Sequence, residues 1–323
     1  MSFRSGLIAM LLAACAANTA LAQDDASKYP SRAIRIVVGF AAGGGNDVIA
    51  RIYAQKLSED LGQPVIVENK PGAGAILAAE YVSKAAPDGY TLLVGATGMA
   101  INQSLYTKLP YDSVRDFVAI SELASFPLLM VVNASSPIKS VADLVAYAKA
   151  NADKMNYSSS SATFQLVTEL FKQKTGAPMQ MIPYKSAHEM VLAVVSGQVT
   201  TTIADAGPVS PQVKAGTVRA LAVTSPKRIA DFPDLPTMKE AGADLDAIIW
   251  TGIFAPKATP PAIIKKLESE FMKIAKLPEV ATRLKAIGVD AVGTSTEEFT
   301  KILQDDINRW GEVVKTSNIK IEQ

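Results

Sequence analysis

The chain has 323 residues, a formal net charge of +1 and 49% hydrophobic residues, but only one histidine and one cysteine. A net charge near zero gives no reason to expect nucleic acid or an anionic membrane as a partner. One histidine and one cysteine cannot supply a histidine-rich zinc site or a disulfide framework. No Gly-x-Ser-x-Gly elbow accompanies His188, so a Ser-His-Asp triad is not expected either. The composition predicts room for two domains and no catalytic residue, metal site or cofactor.

The first residues have the pattern of a secretory signal peptide. Arg4 precedes an apolar stretch of about a dozen residues, and the small-x-small sequence Ala20-Leu21-Ala22 stands before Gln23. We expect cleavage after residue 22, which would remove Arg4 and leave 31 basic against 31 acidic residues. A second interpretation stays open, because Leu12-Ala13-Ala14-Cys15 fits a bacterial lipoprotein site and cleavage there would leave a lipid on Cys15.

A glycine-rich loop follows the first predicted strand. In the segment 34–51, IRIVVGFAAGGGNDVIAR, a β-branched run predicts a buried parallel strand, Gly43 to Gly45 break it, and Asn46 is the predicted N-cap of a helix. Free N–H groups at that helix N-terminus would suit a carboxylate or a phosphate. The spacing fits neither a P-loop nor GxGxxG, since Val48 stands where the third glycine is needed. A purely structural turn is an equally good interpretation.

Strands and helices alternate along the rest of the chain. After the glycine loop we predict a strand at 64–68, a helix at 75–86, a strand at 91–95, and two strands at 117–123 and 128–132. A second block follows, with strands at 156–159, 179–183, 200–204 and 219–224 and helices at 163–175, 189–196 and 209–215. A strand at 247–254 and helices at 260–275, 278–287 and 295–316 end the chain. This alternation predicts an α/β fold of parallel βαβ units with helices on both faces of the sheet.

The order of these elements predicts two lobes joined by a hinge. The C-terminal segment is mostly helical and has too few strands to form a domain of its own. The chain is therefore expected to leave a first lobe near residue 128 and to return to it near residue 249, so that the C-terminal helices cover the first lobe. The predicted divisions are a signal peptide at 1–22, lobe 1 at 23–127 plus 249–323, and lobe 2 at 128–248. In such α/β proteins the ligand lies in a cleft at the carboxyl ends of the strands.

Two loops of the second block are candidate ligand sites. The serines from Ser158 to Ser161 lie between a strand and a helix, so their hydroxyls and the helix N-terminus would suit a ligand carboxylate. An over-supplied helix cap is the alternative interpretation. Asp205 ends the next strand and suits an amine or hydroxyl of a ligand, but it is equally well a helix cap or a turn residue before Gly207-Pro208.

Several strings stand in order from residue 29 to the C-terminus. The first are YPSRAIRIVVGFAAGGGNDVIAR at 29–51, LGQPVIVENKPGAG at 61–74, APDGYTLLVG at 86–95 and KLPYDSVRDFVAIS at 108–121. Later ones are IPYKSAHEMVLAVVSGQV at 182–199, KAGTVRALAVTS at 214–225 and PEVATRLKAIGVDAVGTSTEEF at 278–299. In order, spacing and rarity they resemble the Bug family, the periplasmic solute-binding receptors of tripartite tricarboxylate transporters first recognised in Bordetella.

The resemblance implies a two-domain, type II periplasmic binding protein-like fold that closes over a small organic acid. The acid could be a di- or tricarboxylate, an amino acid or an aromatic acid. The protein would be a periplasmic monomer that passes it to the membrane subunits of a transporter. One carboxylate would be held by backbone N–H groups of the loop 40–46. The implied ligand-binding residues are Phe40, Ala42, Gly43, Gly44, Asn46, Thr97, Ser159, Ser160, Ser161, Thr163 and Asp205.

Three departures from the family pattern concern these residues. Asn46 stands where the family usually has threonine, and Ser186 replaces a glycine. The family's Ser-x-Gly-x-Gly loop is Ser159-Ser160-Ser161-Ala162 here, without glycine. Two other functions stay open: a secreted enzyme acting on a carboxylate substrate in the same cleft, and a receptor that also feeds a signalling partner.

Overall fold

The computed structural model describes residues 28–319, so the predicted signal peptide and Cys15 lie outside the described part. The first elements are β1 (Ile34–Val38), α1 (Gly45–Leu61), β2 (Val65–Asn69), a 3-10 turn (Ala73–Ala75), α2 (Ile76–Ser83), β3 (Thr91–Ala96), α3 (Gly98–Leu105) and β4 (Phe117–Asn133). The next are α4 (Val141–Ala150), β5 (Asn156–Ser159), α5 (Ala162–Thr175), β6 (Gln180–Pro183), α6 (Ala187–Val195), β7 (Thr201–Asp205), α7 (Ala206–Lys214) and β8 (Val218–Val223). The last are β9 (Ile248–Pro256), α8 (Pro261–Ala275), α9 (Pro278–Lys285), β10 (Asp290–Ala291) and α10 (Thr296–Ser317). Between residues 28 and 319, none of the helices is both long and apolar enough to cross a membrane.

The predicted α/β fold is confirmed. β1 pairs in parallel with β2 and β3, and β5 pairs in parallel with β6 and β7. β1 is buried on both faces because helices cover both. Val37 packs in the core that includes α2, α3 and α10, whereas Ile36 and Val38 pack in the core that includes α1, α8 and α9. Antiparallel pairing of β9 with β3 and β4 makes the sheet mixed rather than all-parallel.

The prediction of two separate strands at 117–123 and 128–132 is wrong, because β4 is one strand of 17 residues. Pro127 stands between the two predicted strands, and a proline usually interrupts a strand. It is tolerated here because the pairing partner of β4 changes at this point. Residues 117–127 pair with β9, and residues 128–133 pair with β7 and β8. The division of the chain into two lobes at this point stays a prediction, and below "first half" and "second half" mean the two sides of this change.

Thr224 joins the two places where the chain passes between the halves. Its backbone N–H donates to the carbonyl of Leu128 in β4 at 2.9 Å. Its hydroxyl donates to the carbonyl of Ala247, just before β9, at 2.6 Å, and the Ala247 N–H donates to the Thr224 carbonyl at 2.9 Å. Thr224 is fully buried, so these bonds tie both crossings together away from water.

The last helix contacts both halves. As expected for C-terminal helices that cover the first half, α8 and α9 pack in the same core as α1. α10 packs on α3 and β4, but it also contacts α5, where Gln173 donates to the hydroxyl of Ser317 at 2.9 Å. Its apolar stripe, including Phe299, Leu303 and Trp310, lies in a core that continues to Phe171 of α5.

Two buried acids lie behind β9, beside the crossings. Asp306 of α10 accepts from the indole N–H of Trp250 at 2.7 Å and pairs with Arg309, which also donates to Asp246 at 3.0 Å. Glu122 of β4 is 6% exposed and lines the same cavity of about 210 Å³. Burial, with a smaller contribution from the Asp306 carboxylate, raises the pKa of Glu122 to about 7.

We expect Glu122→Gln to stabilise the protein in a pH-dependent way. Because the folded-state pKa of Glu122 lies above the 4.5 of a free glutamate, its full contribution to stability is present below pH 4.5 and is lost as the pH rises through 7. The variant should unfold at the same denaturant concentration as the unmodified protein near pH 4.5 and gain up to about 3 kcal/mol above pH 7. Denaturant titrations across pH 4.5–8, with the exposed Glu312→Gln as control, measure this. A difference that does not change with pH contradicts the assignment.

Candidate functional site

A cavity of about 510 Å³ lies between the two halves. The first half contributes the starts of α1 and α3, and the second half contributes the start of α5 and the end of β7. The three helices follow β1, β3 and β5, and Asp205 is the last residue of β7. The cavity therefore lies at the carboxyl ends of strands, as predicted. Of the predicted ligand-binding residues, six line it: Phe40, Asn46, Thr97, Ser161, Thr163 and Asp205. Ala42, Gly43, Gly44, Ser159 and Ser160 do not.

A larger depression, of about 870 Å³, lies elsewhere on the protein and is a weaker candidate for the ligand site. It is formed by the second half alone, between the start of α4, β8 and the loop 231–241. Its guanidinium, that of Arg219, already donates to the carbonyls of Ala134, Ser136 and Ile138. The smaller cavity is the one that unites residues of both halves.

The glycine loop is filled from within by Asp47. The Gly43 N–H donates to the Asp47 carboxylate at 2.8 Å, and Arg51 and Asn69 donate to the same carboxylate at 2.9 and 2.8 Å. Although burial opposes ionisation, these hydrogen bonds lower the pKa of Asp47 to about 2. Gly43 has a φ of 80°, which the loop needs to point its N–H at Asp47. Its amide therefore has a partner inside the protein.

Asn46 is not the helix N-cap that the sequence suggested. α1 begins two residues earlier than that cap would imply, at Gly45, with Gly44 as N-cap. The side-chain oxygen of Asn46 accepts from the hydroxyl of Thr251 in β9 at 2.5 Å. This bond fixes the start of α1 against β9 and leaves the Asn46 side-chain N–H groups directed away from that acceptor. Gly45 and Asn46 both line the cavity whereas Gly43 and Gly44 do not, so the amides exposed to the cavity are those of the first two helical residues.

Thr97 is held by the backbone of β9. Its hydroxyl accepts from the N–H of Trp250 at 2.8 Å, and the residue is 1% exposed. Thr97 is the N-cap of α3, but its side chain does not cap the helix. It therefore reaches the cavity mainly as the start of α3, together with Gly98.

Only the end of the serine loop reaches the cavity. Ser159 is buried and its hydroxyl donates to the carbonyl of Ser161 at 3.0 Å, which explains why it cannot face a ligand. Ser161 is the N-cap of α5 without a side-chain capping bond, and it lines the cavity with Ala162 and Thr163. The hydroxyl cluster predicted from the sequence is thus mostly a structural loop.

Asp205 lines the cavity from the second half. It is the N-cap residue of α7, as one interpretation predicted, but its side chain makes no capping bond. Among residues 28–319 nothing donates a hydrogen bond to its carboxylate. Burial raises the pKa of Asp205 to about 6. A ligand that donates a hydrogen bond would therefore find an acceptor without competition.

Ser, Thr and Asp residues at helix N-caps make capping bonds away from the cavity but not at it. Ser140, Ser186 and Ser295, which start α4, α6 and α10 away from the cavity, each accept from the N–H three residues later. Thr97, Ser161 and Asp205, which start helices at the cavity, have cap-forming side chains that do not cap. With Gly44 before α1, the helices α1, α3 and α5 therefore present uncapped N–H groups to one cavity, and Asp205 lines it with a free carboxylate.

The apolar wall of the cavity was missed at the level of sequence. It includes Ile101, Leu105, Tyr106, Phe126, Phe164 and Ile249, and polar Asn102 and Thr251 were missed with it. Gly98, Ile101, Asn102 and Leu105 share a face of α3 at helical spacing, and Ile249 and Thr251 share a face of β9 at strand spacing. The sequence shows both spacings, but an apolar face that lines a cavity has the same pattern as one that packs in a core.

The lining residues carry no catalytic pair. None of them is a lysine, arginine, histidine or cysteine, and Asp205 is the one carboxylate among them. His188 is exposed on α6 and lies away from the cavity. Within the described residues, no group of three or more His, Cys, Asp or Glu side chains is arranged to hold a metal ion.

The comparison with known proteins agrees with this geometry. Residues 49–319 match the family model described as the tripartite tricarboxylate transporter family receptor, TctC. The chain belongs to this family. It is 34% identical over 302 residues to the protein BugT of Bordetella pertussis, which covers 92% of this chain and 93% of that protein.

Solved structures of relatives share the fold. The R. palustris protein Rpa4515 with adipate has 34% sequence identity and a TM-score of 0.78, covering 91% of this chain and 100% of that one. The periplasmic binding protein BugD has 31% identity and a TM-score of 0.75, with the same coverage. The predicted family and the predicted α/β fold of the periplasmic binding protein type are thereby confirmed.

We expect Asp205→Asn to stabilise the ligand-free protein above pH 6. The folded-state pKa of about 6 exceeds the 3.8 of a free aspartate, so Asp205 contributes fully below pH 3.8 and loses that contribution as the pH rises through 6. The variant should gain up to about 3 kcal/mol at pH 8 and nothing near pH 4. Thermal unfolding of dialysed protein at both pH values tests this, and a variant less stable at pH 8 would show that Asp205 has a structural partner.

Proposed function

We propose that this protein is a periplasmic receptor that captures a small organic carboxylate between its two halves and delivers it to the membrane subunits of a tripartite transporter. The observation that carries the proposal is the meeting of three uncapped helix N-termini, those of α1, α3 and α5, around one cavity. Partial positive charge at helix N-termini attracts anions without any cationic side chain. The adipate bound to the relative Rpa4515 supports a carboxylate as the ligand.

The carboxylate would bind at the start of α1. Gly45 and Asn46 line the cavity there, and their backbone N–H groups have no acceptor within the helix. The Asn46 side chain adds a donor, since its oxygen is occupied by Thr251. Ser161, Thr163 and Asp205 of the second half would contact the other end of the ligand.

Binding would act by closing lobe 2, residues 128–248, over lobe 1. A ligand that touches both lobes only in the closed form shifts the equilibrium toward that form in proportion to the contacts it gains. The two connections are β4 at Leu128 and the chain between Ala247 and β9, and their hydrogen bonds to Thr224 make a natural hinge. No step of this cycle needs chemistry, and the receptor would act as a monomer after removal of residues 1–22.

A secreted enzyme using the same cleft is the competing function. Calorimetry of the purified protein with a panel of mono-, di- and tricarboxylic acids should detect saturable one-to-one binding. Mass spectrometry of the acid released after denaturation should then recover it unchanged. Conversion of the acid, or the absence of binding by every carboxylate of the panel, would overturn the proposal.

Substitution of Gly45 tests the carboxylate site directly. A side chain is accommodated there, since an added Cβ would meet nothing closer than the Phe126 ring at 3.8 Å. Gly45→Asp should fold well, because an acidic residue in the first turn of α1 is favourable, but its charge should repel the ligand carboxylate. We expect affinity at least about tenfold weaker than for the uncharged, equally large Gly45→Asn. Equal affinities of the two variants in calorimetry would place the carboxylate elsewhere.

A further inference from the structure

The cavity offers little compensation for several negative charges. Its lining contains no lysine, arginine or histidine, and its one ionisable carboxylate, Asp205, is negative when ionised. The three helix N-termini supply only about half a unit charge each, and the effect fades within the first turn, so that together with ionised Asp205 the lining carries less than about one net positive charge. A single carboxylate at the start of α1 suits this field. A tricarboxylate would have to leave water with most of its charge unpaired.

Aromatic and aliphatic side chains form the middle of the cavity. Phe40, Tyr106, Phe126 and Phe164 line it, and each is only partly buried. The large aromatic residues of the core, such as Trp250, Phe254 and Phe299, are fully buried and pack against one another at ring separations of 5.1–6.2 Å. Within residues 28–319, no such ring pair involves the four cavity residues. Unpaired rings around a cavity of this size favour an apolar ligand body.

Asp205 defines what the far end of the ligand must carry. Its carboxylate has no donor among the described residues, although it is desolvated at the cavity wall. A second carboxylate of the ligand would meet a group of its own charge there. A hydroxyl or an amine would instead give Asp205 the hydrogen bond it lacks, and bonds to charged acceptors are among the strong ones.

We propose that the ligand is a monocarboxylic acid with a ring-sized apolar body and a hydroxyl or amino group at the end opposite the carboxylate, and that Asp205 selects that group. This inference rests on the proposed function and specifies its ligand class. The carboxylate lies at Gly45 and Asn46, the body lies among Phe126, Phe164 and Ile249, and the donor reaches Asp205. Citrate and short aliphatic dicarboxylates then fit poorly.

Four probes of graded chemistry test the proposal by calorimetry: 4-hydroxybenzoate, benzoate, benzene-1,4-dicarboxylate and citrate. We expect 4-hydroxybenzoate to bind about tenfold more tightly than benzoate, since one hydrogen bond to a charged group separates them. The dicarboxylate should bind more weakly than benzoate, and citrate more weakly still. In Asp205→Asn the preference for the hydroxyl should fall to about threefold or less, and the dicarboxylate should gain affinity. Asp153→Asn, an exposed carboxylate of the same half, should keep the unmodified preferences.

The outcomes separate this inference from the proposed function. If citrate or the dicarboxylate binds most tightly, or if Asp205→Asn keeps the full preference for the hydroxyl, the ligand class is wrong while the receptor function stands. If the three aromatic acids and citrate all fail to bind but adipate or malate binds, the apolar, donor-bearing ligand is likewise excluded. If no carboxylate binds at all, the proposed function fails as well.

Discussion

The feature on which the site depends is a set of backbone N–H groups that the protein leaves without partners. A buried N–H group without an acceptor costs free energy, and serine side chains cap α4, α6 and α10, which begin away from the cavity. At the cavity the available side chains are used otherwise: the Thr97 hydroxyl bonds the backbone of Trp250, and the Asp205 carboxylate stays free. A ligand anion that supplies the missing acceptors recovers this free energy, and only where the helix starts converge.

Asp47 determines which part of the glycine loop remains for a ligand. Its carboxylate occupies the Gly43 amide and is itself held by Arg51 and Asn69. The protein thus places its own anion in the loop, where it fixes the loop shape before any ligand arrives. Gly45 and Asn46, which line the cavity, remain for the carboxylate that we propose as ligand. Preorganisation of this kind lowers the cost of binding, because the loop has no freedom left to lose.

Much of this could be predicted from the sequence, and the exceptions have physical reasons. The alternation of strands and helices and the cleft at strand ends follow from periodicity and are confirmed. The continuity of β4 could not be predicted, because Pro127 breaks a strand in most contexts and only the change of pairing partner accommodates it. Ser159 was indistinguishable from Ser161 in sequence, since its inward orientation depends on its register within β5. Phe126 and Ile249 read as core residues because a cavity wall and a core have the same apolar pattern.

β9 connects the two places where the protein keeps costly buried acids. Ile249 and Thr251 face the ligand cavity, whereas Ile248 and Trp250 face the cavity of Glu122 and Asp306 on the other side of the strand. Thr251 is bonded to Asn46 and Trp250 to Asp306, so side chains on the two faces anchor β9 to α1 and to α10. Both anchors lie within the first half, so movement of the second half leaves them intact. The uncapped starts of α1 and α3 therefore lie beside a strand that is held from both sides, whereas Asp205 lines the same cavity from the end of β7 in the second half. A ligand-driven closure requires this arrangement: a rigid reference in one half and an unsatisfied acceptor in the other.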